Sequence, residues 1–121
     1  MAPGNKHGEN ESAAEELSSI ILQHLGVIIE EVTGIEPYEV TPEKYFVDDL
    51  DIDSLSMIEI VVQAEDRYAV KVPDEDLAAL RTVRLAQEYV LEFIRDHPQA
   101  AISIAEQHEP KAIKYIMAYA T

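Results

Sequence analysis

A stretch of 21 residues, Thr33 to Asp53, has neither helical nor strand period, yet it is too apolar to be a free linker. Pro37 and Pro42 interrupt any helix, because the proline ring removes a backbone donor and clashes with the preceding turn. Thr41-Pro42-Glu43 suits at most the start of one short turn. Val40, Tyr45, Phe46, Val47, Leu50 and Ile52 are apolar enough to pin the segment across whatever flanks it. A loop this long is unusual inside a compact domain, and is functional more often than a short one. The rest of the chain must therefore supply a surface for it to cross.

That surface reads as helical. Ser12 and Glu15 form an S-x-x-E capping box. Leu17, Ile20, Ile21, His24, Leu25, Ile28 and Val32 then recur on one face. Gly26 lies within this stripe and weakens it by about 1 kcal/mol relative to alanine. Gly34 suits the left-handed turn that ends a helix. After the loop, Asp53 or Ser54 caps a second helix running to Tyr68, since either side chain accepts from the free N–H groups of a first turn. On it Leu55, Ile58, Val61, Val62 and Tyr68 are expected to face inward, with Ser56, Glu59, Gln63 and Asp66 outward. Pro73 and the acids behind it open a brief helix to Leu80. Thr82 caps a last core helix with Val83, Ala86, Tyr89, Val90, Phe93 and Ile94 inward, and His97-Pro98 ends it. No strand signal of useful length occurs, so the fold expected is all-α.

Residues 1–11 hold almost nothing apolar and are expected to be a disordered tail. The folded domain is placed at 12–97. Residues 98–121 form a C-terminal extension in which Pro98 and Pro110 mark possible helix starts. Ala112, Ile113, Ile116, Met117 and Ala120 make one apolar stripe there. A frayed tail and a helix docked on the core, a second copy or a partner are the alternatives.

The chain lacks cysteine, which removes disulfides, thiolate metal sites and any thiol of its own for thioester chemistry. The longest apolar run is far short of a bilayer span. No basic-then-apolar leader pattern opens the chain, so a cytoplasmic protein is expected. The net charge is −15. Between Glu30 and Asp76, 15 acids face only Lys44, Arg67 and Lys71. Such a field repels nucleic acid and anionic membranes and attracts basic protein surfaces. The plainer reading is that the acidity serves solubility alone. Its concentration around Ser54 favours docking.

Several chemistries are excluded. Asp49-x-Asp51-x-Asp53 matches the opening of a calcium loop. However, its sixth position is Ser54 where glycine belongs, and its twelfth is Ile60 where a bidentate glutamate is required. Ser54 lacks the G-x-S-x-G elbow of a hydrolase. The four histidines show no metal-ligand spacing and no tie to Ser54. No Gly-rich phosphate loop occurs. A capping serine is the ordinary reading of Ser54, and an attachment point for a cofactor is the sharper one.

The ordered surroundings of Ser54 favour the sharper reading. Residues 31–83 resemble acyl carrier proteins. The resemblance is carried by Asp53-Ser54-Leu55 at a helix start and by Phe46-x-x-Asp49-Leu50 upstream. It extends to Glu59, to Val72-Pro73-Asp74-Glu75 before a third helix, and to Thr82-Val83 without a gap. Glu31 to Pro37 and Phe46 to Asp76 are most similar to carriers of mycobacteria and their relatives that extend meromycolic chains.

The resemblance implies a four-helix acyl-carrier-like bundle, with three main helices, one short helix and a long loop between the first and second. It implies that the chain is not an enzyme. A phosphopantetheinyl transferase would esterify Ser54, between Asp53 and Leu55, with 4'-phosphopantetheine from coenzyme A. The arm's thiol would then carry acyl thioesters. Leu55, Ile58, Val62 and Val72 would line a space sheltering the acyl chain. Glu59, Glu65, Asp66, Asp74 and Glu75 would meet basic patches on ketoacyl synthases, reductases, dehydratases, acyltransferases and the phosphopantetheinyl transferase. A monomer is expected, with no metal, nucleic acid or membrane partner. Two features depart from the meromycolate pattern, namely the apolar 113–119 segment and the longer N-terminus. A carrier for a polyketide or another specialised lipid would share the core. An acidic helical interaction module that is never modified is the competing class.

Overall fold

The computed structural model describes residues 3–120. Six α-helices follow one another: α1 Pro3–Thr33, α2 Ser54–Tyr68, α3 Asp74–Leu77, α4 Val83–Asp96, α5 Pro98–His108 and α6 Ile113–Ala120. Short 3-10 turns occupy Pro37–Glu39 and Pro110–Ala112. Among the described residues there is no strand, only an isolated antiparallel bridge between Tyr45 and Thr82. The chain divides into two compact units. One is Leu22–Gln87, and the other combines Met1–Ile21 with Glu88–Thr121. The division falls inside α1 and α4.

The Leu22–Gln87 unit is built around the long loop. Val40, Phe46, Leu50 and Ile52 from that loop are buried with Ile28 and Ile29 of α1, Ile60 of α2, and Val83 and Ala86 of α4. Tyr45 and Val47, grouped with these in the sequence reading, are instead exposed. The loop is fixed by close approach as well as by burial. A Cβ on Gly26 would lie 3.1 Å from the Pro37 Cβ. The glycine that weakens α1 thus leaves room for the proline that starts the loop. Gly34 ends α1 with φ 81° and donates its N–H to the Glu30 carbonyl at 2.8 Å. Glu31 and Arg67 form an ion pair at 2.7 Å between the C-terminal ends of α1 and α2.

The other unit corrects the expectation for the N-terminus. The residues taken as a disordered tail are helical from Pro3 onward, and Met1 and Ala2 lie outside the described residues. Asn10 donates its side-chain amide to the Tyr119 carbonyl at 2.9 Å, and Ala13, Leu17 and Ile21 are buried. The same unit buries Ile94 of α4, Ala101 and Ala105 of α5, Ala112, and Ile116 of α6. The C-terminal extension is thus helical from Pro98 and again after Pro110, where the two prolines placed helix starts. Among the described residues no helix is long and apolar enough to cross a membrane.

Candidate functional site

Ser54 is the first residue of α2 and is exposed. Asp53 is the N-cap, in extended backbone, and its carboxylate accepts from the Ser56 N–H at 2.8 Å. That bond, with a second from the Ser56 side chain, holds the Asp53 carboxyl below its ordinary value. Of the two caps the sequence allowed, the aspartate takes the role, and no hydrogen bond engages the Ser54 hydroxyl among the described residues.

The residues before it form a rigid mount. Asp49 accepts from the Tyr45 N–H at 2.8 Å through its side chain, and its own N–H donates to the Tyr45 carbonyl at 3.0 Å. Leu50 N–H donates to Tyr45, Asp51 N–H to Val47, and Ile52 N–H to Phe46. Phe46 N–H in turn donates to the Arg81 carbonyl at 3.0 Å. Asp51 takes up φ 55°, in the left-handed region that aspartate tolerates better than most residues. This kink lets Leu50 and Ile52 both bury while Asp51 stays in water.

The two faces of α2 differ from expectation. Ile60 is 5% exposed, and Met57, Ala64 and Tyr68 pack with it against the core. Leu55, Ile58 and Val62, expected inward, are 66%, 48% and 45% exposed. The helix is apolar on two neighbouring stripes, and spacing alone permitted either to be the buried one. Packing of Ile60, Met57, Ala64 and Tyr68 against the core settled the choice. On the outer face Leu55, Glu59, Val62 and Asp66 follow at helical spacing, so acids and aliphatic side chains alternate toward solvent.

The remaining candidates are distributed as follows. Asp74 and Glu75 are exposed in the first turn of α3, which is shorter than the expected 73–80 and has Pro73 as its N-cap. Val72 is half-buried. Glu65 is also half-buried, and its carboxylate accepts from the Val72 N–H at 2.7 Å. It ties the end of α2 to the segment before α3, a role the sequence reading did not foresee. His24 is hydrogen-bonded to the Tyr68 hydroxyl. Tyr68 lies 14 residues along α2 from Ser54, about 21 Å at 1.5 Å per residue. His24 therefore cannot serve Ser54 as a base.

An exposed serine at the start of a helix capped by Asp53, following a loop anchored by Phe46, Leu50 and Ile52, suits the covalent attachment of a long group. The family described as "phosphopantetheine attachment site" matches residues 23–90. The chain belongs to this family, whose group is 4'-phosphopantetheine.

Its relatives narrow the class to acyl carrier proteins, which are carriers rather than catalysts. The meromycolate extension acyl carrier protein of Mycolicibacterium aurum is 62% identical over 87 residues, covering 72% of this chain and 90% of that protein. Its counterpart in Mycobacterium leprae is 63% identical over 81 residues, covering 67% and 70%. The acyl carrier protein of Rhodococcus erythropolis is 76% identical over 63 residues, covering 52% and 69%.

Proposed function

We propose that Ser54 is the residue that carries 4'-phosphopantetheine, and that the loaded chain hands acyl groups among the enzymes that build long fatty chains, a reading supported by relatives named for meromycolate extension. The observation that carries the assignment is the exposed Ser54 hydroxyl at the start of α2, behind the Asp53 cap and within the matched segment. The group supplies a terminal thiol for thioesters, which a chain without cysteine lacks. The protein's own residues bind, present and shelter, and none of them catalyses. The work is cytoplasmic.

The docking surface is the outer face of α2 with the start of α3. Glu59, Asp66, Asp74 and Glu75 offer carboxylates to basic patches on the phosphopantetheinyl transferase, ketoacyl synthases, reductases, dehydratases and acyltransferases. Leu55, Ile58 and Val62 supply the apolar contacts between those carboxylates. Glu65 contributes less, because its carboxylate already holds Val72 N–H. Exposed ion pairs are individually worth roughly 0 to 1 kcal/mol. A surface of many such pairs suits a carrier that must leave each enzyme quickly.

The acyl chain is sheltered against the inner face of α2, at Met57, Ile60 and Ala64, together with Val72. Each buried methylene contributes about 0.8 kcal/mol, so the sheltering grows with chain length.

Co-expression with a phosphopantetheinyl transferase tests the assignment. Intact mass rises by the mass of one arm in the wild-type chain, and Ser54→Ala abolishes the rise. A wild-type chain that stays unmodified in the presence of transferase and coenzyme A would leave an unmodified acidic interaction module as the better reading.

A further inference from the structure

The Leu22–Gln87 unit has 15 acidic residues against five basic ones, and three of those five are gathered in one place. The Tyr45–Thr82 bridge does this. Val83 N–H donates to the Lys44 carbonyl at 3.0 Å, Arg84 N–H to the Pro42 carbonyl at 2.9 Å, and Phe46 N–H to the Arg81 carbonyl. Lys44, Arg81 and Arg84 are thereby brought to the edge where the long loop meets the start of α4. Arg81 and Arg84 are exposed, and none of the three is in a direct ion pair among the described residues. Glu43, beside them, has its carboxyl held below the ordinary value chiefly by the Thr41 hydroxyl, with the Arg84 and Lys44 charges adding to it. Tyr45, in the bridge, and Leu85, three residues after its partner Thr82, are 49% and 39% exposed. Tyrosine and arginine are, with tryptophan, enriched among the residues that anchor protein interfaces.

We infer that Lys44, Arg81 and Arg84, with Tyr45 and Leu85, form a second docking patch that meets an acidic spot with an apolar centre on the same partner enzymes whose basic patches meet α2. This inference rests on the reading of α2 as the docking face. The patch is tied through the backbone to the attachment end of the unit, because Phe46 bonds to Arg81 on one side and to Ile52, two residues before Ser54, on the other. An enzyme that reaches Ser54 along the loop therefore meets a footprint of two signs. A footprint of one sign steers encounter but leaves the docked carrier free to rotate about α2, whereas two opposite patches fix its register. A second copy of this chain is the poorer occupant, since two bodies of charge −15 repel.

The test uses the sign of an electrostatic effect. Each Arg→Glu change removes one positive charge and adds one negative, so Arg81→Glu with Arg84→Glu takes the chain from −15 to −19. If net charge alone governed the encounter with a basic partner, this variant would associate faster. The two-signed footprint requires the reverse. Stopped-flow association of the full-length, arm-bearing chain with a purified ketoacyl synthase that accepts its thioester should slow by about fivefold or more at low ionic strength, with the difference shrinking as salt rises. An unchanged or faster rate overturns the inference. So does sedimentation showing that the native chain self-associates and that the double substitution abolishes it. Arg84→Glu alone, checked by circular dichroism, covers the case in which the double variant folds poorly. Glu59→Lys, run in parallel, reads the α2 docking face independently, so failure of the patch is distinguishable from failure of that reading.

Discussion

Among the described residues no hydrogen bond engages the Ser54 hydroxyl, because its neighbour does the capping. Asp53 takes the Ser56 amide, and this has a consequence in acid. Its folded pKa lies below the unfolded one, so the stabilisation is fully present at neutral pH and is lost as pH falls through the folded value. Thermal midpoints followed by circular dichroism between about pH 5 and pH 2 should therefore fall more steeply for the wild type than for Asp53→Asn, which keeps a cap but cannot titrate. Asp51 makes the second residue-scale prediction. At φ 55° a β-branched side chain is strained, so Asp51→Val should cost about 1–2 kcal/mol in urea unfolding, whereas Asp51→Gly should cost nothing or stabilise. The acid-rich turn was visible in the sequence, but its left-handed kink was not. It follows from the need to bury Leu50 and Ile52 on either side of one exposed residue, a tertiary demand that local spacing does not record.

The helices divide into those the sequence placed well and those it turned or ended wrongly. The starts of α2 and α4 were legible because each follows a capping side chain, Asp53 and Thr82; the Leu85 N–H donates to the Thr82 hydroxyl at 3.1 Å. The end of α1 was legible from Gly34. The phase of α2 was not, because its two apolar stripes are near neighbours and only tertiary packing distinguishes them. Mutation separates the stripes. Ile60→Ala should cost about 2–5 kcal/mol, as expected for a buried isoleucine. Ile58→Ala, on the exposed stripe, should cost under about 1 kcal/mol and instead slow partner association. Equilibrium denaturation of the two variants, with stopped-flow binding, checks both. The upstream start of α1 was missed for a similar reason. Pro3, Gly4 and Gly8 argue against a helix locally, and the Asn10–Tyr119 bond that favours one spans 109 positions.

The whole molecule separates its attachment unit from a second unit built from both ends of the chain. Truncation after His97 removes α5, the Pro110–Ala112 turn and α6, and with them Ala101, Ala105, Ala112 and Ile116, buried residues of the same unit as Ala13 and Leu17. Hydrogen exchange at amides 10–21 should then rise well above the full-length value, while Ser54 should still accept the arm in the mass assay. Such an outcome would place the extension's role outside loading. At this scale the acidity also has a measurable consequence, because association with basic partners should slow as ionic strength rises.

The Arg81–Phe46–Ile52 run of main-chain hydrogen bonds offers the amide protons of Phe46 and Ile52 as a test of the proposed sheltering. An acyl chain sheltered against α2, as proposed above, would part the helix from the loop that carries this seam. Their exchange rates, followed by nuclear magnetic resonance in carriers bearing successively longer chains, would therefore show when the bundle opens without any probe having been attached.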